Sequence, residues 1–487
     1  MSTYKHGVYV REVDTALVAP IEASAGLPVV IGTAPVNTLA NPAAAVNKPL
    51  LVHNYKEAVE AIGWSDDFAS YTLCEAVSAA FSVIGVGPLV LINVLDPANS
   101  AHAAAVAEAT ITVKDHVALV ETKGMLDDSN LVVKDDGTAL TKDTDYTVSY
   151  DDKGNLAVTL LSASTHYSAA SLKIAGKKLD PSAVTAADIV GGVNISTGAE
   201  TGLEVIRQVY PLFGLVPGIL LAPRYSMQAT VAAALQAKTK AINGVFSCVA
   251  YIDVNSASGG AEKYSDVNTA KQAQGISDPN AYALWPFCKV GDAIYSGSTI
   301  AAMLTAFTDG QNDDIPNVSP SNKTLPITGI CLADGVTDII LDQDQANTVN
   351  SFGVATFLNM NGFRLWGSNS AAYPGNTDPK DRWINVRRFF CWTGNSFILT
   401  YFQKVDDPAN PRLIETIVDS ENVRGNSFVD AGACARYEIT YNPDENTTTD
   451  LLNGTLTFHQ YLAPYTPAEC IENVLEFDPD ALAAALG

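Results

Sequence analysis

Short apolar runs alternate with longer stretches of helical spacing from Leu27 onward. The runs with the length of buried strands are 28–32, 89–95, 219–222 and 245–252. The stretches with helical spacing are 56–62, 71–84, 202–212 and 227–242. Continuous apolar strands that alternate with helices are typical of a sheet covered on both faces. The pattern therefore predicts an α/β domain assembled from residues 23–99 and 191–345.

A different periodicity separates these two parts of the α/β sequence. Between residues 100 and 190, apolar and polar positions alternate with the period of two that half-buried strands show. The clearest case is a hairpin that pairs 146–150 with 156–160 across a turn at 151–155. Insertions are tolerated in exposed loops, where few contacts cross. We therefore predict an all-β domain at 100–190, inserted into the α/β domain.

Beyond residue 345 the chain becomes richer in aromatic residues and Asn. The predicted elements are strands within 352–366 around a turn at Asn361 and Gly362, helices over 381–403 and 413–430, and strands over 436–441 and 455–461. We expect the second helix to break at Gly425, because glycine is a poor helix former. This mixture predicts an α+β domain over 346–469.

Each end of the chain carries an alternating segment set off by prolines, and we place an N-terminal arm at 1–22 and a C-terminal arm at 470–487. Their apolar residues are Tyr4, Val8, Tyr9, Val10 and Val13 in the first arm, and Ile471, Val474, Leu475 and Phe477 in the second. A lone strand must pair its backbone donors and acceptors with an existing sheet edge. Two alternatives remain open: the arms fold back onto their own chain, or each chain lends both to neighbouring chains by β-augmentation.

Charge narrows the classes of function. The 487 residues carry a net charge of −24, although only 17% of them are charged. A nucleic-acid-binding protein needs clustered Lys and Arg, and a disordered chain would be more polar and more highly charged. Both classes are therefore excluded. A long chain with a negative net charge but a small share of charged residues is typical of a multidomain protein that packs against others.

Cysteine usage predicts a reducing compartment. The seven cysteines lie far apart in apolar surroundings, without a Cys-x-x-Cys pair, which predicts buried free thiols. They are Cys74, Cys248, Cys288, Cys331, Cys391, Cys434 and Cys470. The N-terminal sequence lacks the basic and apolar regions of a signal peptide, and no apolar run reaches the roughly 18 residues that cross a bilayer. We expect the chain to be made in a cytoplasm.

Motifs that bind cofactors or metals are missing from the sequence. Gly85-Val-Gly87 lacks the third glycine of a dinucleotide-binding motif, and the six histidines are dispersed without metal-ligand spacing. The acidic segments 309–314 and 342–344 lack the spacing of a calcium loop, which favours solvated turns over cation sites. We therefore assign no cofactor and no metal site.

Catalytic motifs are missing as well. No serine lies in a Gly-x-Ser-x-Gly motif. Arg364, Arg387 and Arg388 lie among aromatic residues in an acidic part of the chain, which favours ion pairs inside an interface over a nucleic-acid surface. No catalytic residue is assigned, and we do not expect an enzyme.

Six short motifs occur in order along the chain, and together they span most of it outside 100–190. They are Tyr-Lys-His-Gly-Val-Tyr-Val-Arg-Glu-Val at 4–13, Gly-Leu-Pro-Val-Val-Ile-Gly-Thr-Ala-Pro-Val at 26–36, Leu-Ile-Asn-Val-Leu-Asp-Pro at 91–97, Ser-Pro-Ser-Asn-Lys at 319–323, Gly-Phe-Arg-Leu-Trp-Gly at 362–367 and Trp-Ile-Asn-Val-Arg-Arg at 383–388. No single motif is diagnostic, but their joint order is specific. Together they resemble the contractile phage tail sheath family, which includes the sheaths of tailocins and contractile injection systems.

The resemblance implies a structural subunit that forms stacked hexameric rings around a tail tube and contracts to drive the tube through a cell envelope. It implies that both arms complete a small sheet in neighbouring subunits. The C-terminal domain would lie inward against the tube, the α/β domain further out, and the β insertion outermost. The implied partners are other copies of the chain, the tail tube protein, and baseplate and tail terminator proteins, without direct nucleic-acid contact or membrane insertion. The implied location is the virion, after assembly in the host cytoplasm.

Two other classes remain open. One is a self-assembling shell protein of different geometry, such as a capsid or surface-layer subunit. The other is a soluble α/β enzyme, which only the alternation of strands and helices favours, because a fold does not establish a function.

Overall fold

The computed structural model describes residues 24–151 and 153–487. The strands in these ranges, numbered along the chain, are β1 (Pro28–Gly32), β2 (Pro49–Val52), β3 (Leu89–Asn93), β4 (Ala103–Lys114), β5 (Val117–Val120), β6 (Val132–Asp135), β7 (Thr138–Ala139), β8 (Tyr146–Tyr150), β9 (Leu156–Leu160), β10 (Ser171–Leu179), β11 (Gly192–Val193), β12 (Glu200–Thr201), β13 (Ile219–Leu221), β14 (Val249–Asp253), β15 (Ala281–Leu284), β16 (Phe287–Val290), β17 (Ala293–Tyr295), β18 (Gly329–Cys331), β19 (Asp338–Ile339), β20 (Val354–Asn359), β21 (Phe363–Trp366), β22 (Cys434–Tyr441) and β23 (Phe458–Pro464). The α-helices are α1 (Tyr55–Ile62), α2 (Thr72–Ser78), α3 (Ala186–Val190), α4 (Val209–Phe213), α5 (Ala229–Lys238), α6 (Val267–Ala273), α7 (Gly297–Gly310), α8 (Gln343–Ser351), α9 (Pro379–Arg382), α10 (Ile384–Tyr401), α11 (Pro411–Asp430), α12 (Thr448–Leu452) and α13 (Pro479–Leu486).

The largest sheet has eight strands in the order β2-β3-β1-β13-β14-β15-β20-β21. Its six inner strands are parallel, while β2 and β21 pair antiparallel at the two edges. Every residue of β1, β3, β13, β14 and β15 is buried, which explains why these strands read as continuous apolar runs in the sequence. The chain is a mixed α/β protein, as predicted.

The main sheet extends past the domain boundary predicted at residue 345. Strand β20 pairs in parallel with β15, with Ala283 opposite Val354, and β21 then folds back along β20. The rise in aromatic residues and Asn after residue 345 suggested a separate domain. The buried run at the start of β20 instead continues the sheet interior.

Residues 103–179 form a second sheet, whose seven strands are in the order β7-β6-β10-β4-β5-β9-β8. All of its strand pairs are antiparallel, and the predicted hairpin at 146–160 is formed by β8 and β9. A cluster of buried side chains separate from the main core holds this sheet together, including Leu156, Val158 and Leu172. The segment therefore packs around apolar residues of its own.

Beyond the main sheet, α10 and α11 pack with the two-stranded sheet β22-β23. Helix α11 begins at Pro411, with the Asn410 side chain accepting a hydrogen bond from the backbone N–H of Leu413, and it runs unbroken to Asp430. The predicted break at Gly425 was therefore wrong. This glycine is buried against β22, and it provides room for the strand without ending the helix.

Candidate assembly surfaces

The β22-β23 hairpin is fixed to the helices beneath it by a buried carboxylate. Glu421 on α11 is fully buried and accepts hydrogen bonds from the hydroxyls of Tyr437 (2.7 Å) and Tyr401 (3.1 Å) and from the side-chain amide of Gln460 (3.1 Å). Arg424 Nη1 lies 3.3 Å from the same carboxylate. Burial, reinforced by the charge of Glu421, raises the pKa of Tyr437, so its hydroxyl stays a donor. Both strands of the hairpin are thus held by one side chain of α11.

Helix α11 also covers the outer edge of β22. The Asn422 side-chain oxygen accepts a hydrogen bond from the backbone N–H of Ile439 at 2.8 Å, and its amide donates to the Ile439 carbonyl at 3.0 Å. A Cβ atom at Gly425 would lie 2.5 Å from the Tyr437 carbonyl oxygen, so the helix backbone passes directly against the strand. The two backbone groups that Ile439 would offer to an added strand are therefore occupied.

The outer edge of β23 is free of such cover. Ile439 lies opposite Gln460, and its backbone groups point away from β23. When the backbone N–H and C=O of one residue in an antiparallel pair point outward, those of the residue opposite also point outward. The backbone N–H and C=O of Gln460 therefore face away from β22. Because these directions alternate along a strand, the same holds for Phe458 and Leu462. Within the described ranges, no strand pairs with this edge.

The C-terminal segment leaves the hairpin without joining any described sheet. Residues 465–478 contain no helix or strand, and the predicted strand at this end is not formed within the chain. The four predicted apolar residues are exposed, with Ile471 at 87%, Val474 at 71%, Leu475 at 86% and Phe477 at 78%. Such a run of exposed apolar side chains is typical of an interaction site. Their role as an inter-subunit arm stays a prediction.

The start of this segment is tied to the body of the protein. Glu469 Oε2 lies 2.5 Å from Arg382 Nη2, and the Asn369 side chain donates to Glu469 Oε1 at 3.4 Å. The Arg382 guanidinium stacks over the rings of Trp383 and Tyr373, at 4.0 and 4.6 Å from their centroids. These contacts fix the course of the chain up to Glu469. These contacts of Glu469 with Arg382 and Asn369 form an anchor for the C-terminal segment. The anchor was not predicted from the sequence, because Glu469 lies 87 and 100 residues from these two partners.

The predicted residues of the N-terminal arm lie outside the described residues, so their pairing stays a prediction. They are Tyr4, Val8, Tyr9, Val10 and Val13. Near the start of the described residues, the Ala25 carbonyl accepts a hydrogen bond of 3.1 Å from the buried side chain of Arg388.

Arg388 and Arg387 form ion pairs, but with partners in their own chain. Arg388 Nη1 donates to Asp309 Oδ1 at 3.0 Å, a second contact joins Nη2 to Oδ2, and both side chains are almost fully buried. Arg387 donates to Asn280 at 2.6 Å and lies 3.3 Å from Asp381. The predicted solvated turn at Asp309 is wrong, because the side chain of this residue is buried. It lies in the last turn of α7 and supplies the countercharge for Arg388.

The cysteines agree with the prediction except at one position. All seven are free, and six are buried, but Cys470 is exposed. Its surroundings look apolar in the sequence because Ile471 follows it, whereas the structure places both residues on the exposed C-terminal segment.

Buried polar side chains fill the carboxyl edge of the main sheet, the place where α/β enzymes bind their ligands. Asp253 at the end of β14 accepts hydrogen bonds from the hydroxyls of Ser298 (2.6 Å) and Ser226 (3.1 Å), and burial raises its pKa to about 6. Close by, buried Glu75 accepts a hydrogen bond of 3.1 Å from Arg224. Both carboxylates are thus hydrogen-bonded to partners in the protein interior, where they would not contact a substrate.

No group of three or more His, Cys, Asp or Glu side chains in the described part of the chain is placed to hold a metal ion. Among the helices of residues 24–151 and 153–487, none combines the length and the apolar character needed to cross a membrane.

Comparison with known proteins finds tail sheath proteins among the relatives of this chain. No protein-family profile matches it. The tail sheath protein of Burkholderia phage BcepMu is 29% identical in an alignment of 482 positions that covers 95% of this chain and 94% of the phage protein. The chain is similar to a tail sheath protein along nearly its whole length. The tail sheath protein of Escherichia phage P2 is 25% identical to this chain over 297 residues, covering 60% of the chain and 70% of the phage protein.

Solved structures share the fold of this chain. The sheath complex of an extracellular contractile injection system in its contracted state superposes with a TM-score of 0.58 at 16% identity and covers 99% of both chains. The contracted helical sheath of the anti-feeding prophage superposes with a TM-score of 0.57 at 14% identity and covers 98% of this chain and 100% of the other. The resemblance drawn from the six motifs is therefore confirmed.

Proposed function

We propose that the chain is a sheath subunit that polymerises into stacked hexameric rings around a tail tube and contracts to drive the tube through a target cell envelope. The observation that carries the proposal is the similarity to a phage tail sheath protein along 95% of the chain. The exposed apolar segment at the C-terminal end supports it, because these side chains need a partner that the described chain does not provide.

We propose that both arms act between subunits by β-augmentation. In the C-terminal arm, Ile471, Leu475 and Phe477 would lie on one face of the added strand, with Val474 on the other. In the N-terminal arm, Tyr4, Val8, Tyr9, Val10 and Val13 would act in the same way. The small β22-β23 sheet supports this assignment, because it has only two strands and needs no rearrangement to accept a third at β23.

The parts of the chain would take different places in the assembly. We place the C-terminal residues 346–469 inward against the tail tube and the α/β residues 23–99 and 191–345 further out. The inserted β domain at 100–190 would be outermost. The separate buried cluster of the seven-stranded sheet supports this placement, because a segment that packs on its own core can project from the body.

The proposed partners are other copies of the chain, the tail tube protein, and the baseplate and tail terminator proteins. Assembly would take place in the host cytoplasm, and the product would be part of the virion. Contraction would release the free-energy difference between two packings of the same subunits, through rigid-body rotations, and would need neither nucleotide nor catalysis.

Negative-stain electron microscopy of the purified protein tests the proposal. We expect hollow, striated tubes at high protein concentration. Closed shells or flat lattices would indicate a capsid or surface-layer subunit instead. Small globular particles at every concentration would contradict self-assembly and would revive the α/β enzyme hypothesis.

A further inference from the structure

We infer that residues 124–126 dock the seven-stranded sheet onto the body of the protein and hold residues 103–179 in one fixed orientation. The body is the main sheet together with the helices and loops packed on it, and the docking segment is the stretch 124–126. This role goes beyond the proposed function, because it lies inside one subunit and does not depend on assembly.

The covalent connections of the seven-stranded sheet would not fix its orientation by themselves. The chain enters this sheet at Ala103 and leaves it at Leu179, and these two residues are direct partners in the ladder between β4 and β10. Partners in an antiparallel ladder lie only about 5 Å apart. Two connections so close together form a hinge, because a few residues at the ends of elements can absorb a large rotation. A fixed orientation therefore needs contacts beyond these connections.

The docking segment places neighbouring side chains in two different cores. Met125 is fully buried in the cluster of the seven-stranded sheet, and Leu126, the next residue, is buried in the main core. At the end of β10, the Leu179 N–H donates to the Gly124 carbonyl at 2.8 Å. The Leu126 N–H donates to the Lys177 carbonyl at 2.9 Å. Successive side chains of an extended segment point to opposite sides, so any swing of the sheet would pull Leu126 out of the body.

The carbonyl of Met125 joins the body to an edge of the seven-stranded sheet. It accepts a hydrogen bond of 3.3 Å from the side-chain amide of Asn37, a buried residue of the body, and one of 2.9 Å from the Tyr150 hydroxyl. Burial raises the pKa of Tyr150, so its hydroxyl remains a donor. Tyr150 belongs to the edge strand β8, which is four strands away from β10 in the order of the sheet. The sheet is therefore held at its connections and again at this edge.

Gly124 allows the close approach of the docking segment to the body. Its φ of +78° lies in the left-handed region that favours glycine, and an added Cβ atom would lie 3.5 Å from the Tyr71 hydroxyl of the body. The turn between β8 and β9 lies close to the body as well, since a Cβ atom at Gly154 would be 3.8 Å from Thr38 Cγ2. The backbone of the sheet thus passes close to the body at two places besides its connections.

Distance measurements between two spin labels test the fixed orientation. In a Cys470→Ser parent, which lacks the exposed thiol, one label is attached at Lys56→Cys on α1 of the body and the other at Thr138→Cys on β7. The six remaining native cysteines are buried and should not react. Dilution with unlabelled protein keeps distances between subunits out of the signal, so the measurement does not depend on whether tubes form.

We expect one narrow distance distribution in the parent and a broader one when the docking is weakened. Leu126→Ala removes the side chain that enters the main core. The double substitution Asn37→Ala with Tyr150→Phe removes both donors to the Met125 carbonyl. The matched control is Leu172→Ala, which truncates a leucine buried in the cluster of the seven-stranded sheet and should leave the distribution narrow.

A broad distribution in the parent would overturn the fixed orientation. A narrow distribution in both docking variants, or equal broadening by Leu172→Ala, would overturn the role of residues 124–126. If far-UV circular dichroism shows that Leu126→Ala does not fold, the double variant decides alone, because it removes two hydrogen bonds and leaves the packing of Leu126 in place. The sheath proposal is tested separately by the microscopy of tubes, so either one can fail without the other.

Discussion

The ion pair between Arg388 and Asp309 joins three parts of the chain at one buried point. Arg388 belongs to α10, Asp309 lies in the last turn of α7, and Arg388 Nη2, which contacts Asp309, also donates to the carbonyl of Ala25. Burying two charges is costly, and the geometry compensates for that cost only while both partners are present. The pair therefore locks the C-terminal helices onto the α/β core.

Replacing one partner should be strongly destabilising. We expect Arg388→Met to lower the free energy of unfolding by about 3–5 kcal/mol, because Asp309 would be left as an unpaired buried charge. Urea denaturation measures the loss. Lys56→Met is the control, since Lys56 and Glu60 form an exposed pair, and its effect should stay within about 0.5 kcal/mol. Similar losses in the two variants would argue against a structural role for the buried pair.

Asp253 should make stability depend on pH. Its pKa is raised to about 6 in the folded protein, against about 3.9 when unfolded, so its ionised form is disfavoured by folding. This penalty is fully present above pH 6 and is relieved as the pH falls through 6. Between pH 7 and pH 5, the wild type should therefore gain about 1 kcal/mol relative to Asp253→Asn. Urea unfolding at both pH values measures this change. The same difference in unfolding free energy between the two proteins at pH 7 and at pH 5 would contradict the expectation.

At the scale of elements, the close contact between α11 and β22 depends on Gly425, which has no side chain. Gly425→Ala would force the new Cβ atom into the carbonyl oxygen and ring of Tyr437, and we expect a loss of about 1–3 kcal/mol in thermal or urea unfolding. Gly394 on α10 is the matched control, because it is helical, exposed and has no neighbour within 4 Å. Gly394→Ala should leave stability unchanged or raise it by up to about 1 kcal/mol. Equal effects at the two positions would contradict the close approach.

The elements of this chain differ in how well they can be predicted from the sequence. Strand β1 and the β8-β9 hairpin were predicted with their observed bounds, because burial on both faces and strict alternation are local patterns. The unbroken course of α11 was missed, because the reason for Gly425 is a strand that follows in the chain. The closed edge of β22 was missed for the same reason, since nothing around Asn422 indicates its bonds to Ile439.

At the scale of the whole molecule, the exposed C-terminal end can be removed without disturbing the core. We expect deletion of residues 470–487 to abolish tube formation and to leave the melting temperature within a few degrees of the wild type, because every residue removed is exposed. Electron microscopy and circular dichroism measure the two effects. Tubes that persist after this deletion, or after deletion of residues 1–14, would exclude the corresponding arm from assembly.

The boundaries of the domains were less predictable than the elements themselves. Separate patterns identified the α/β sequence on both sides of 100–190, but the C-terminal boundary followed composition and cut off β20 and β21. Sheet membership depends on pairing with β15, some seventy residues earlier in the chain. A change in composition cannot reveal such a pairing.

The anchor at Glu469 limits how far apart two connected subunits can lie. Only Cys470 separates this anchored residue from Ile471, and one residue spans at most about 3.5 Å. A strand that begins at Ile471 therefore starts within a few ångströms of the body that donates it. The C-terminal arm would therefore act as a short coupling, and the distance between the two subunits that it joins would stay nearly constant. The travel of a contracting lattice would then come from rotation about this coupling, or from the N-terminal connection.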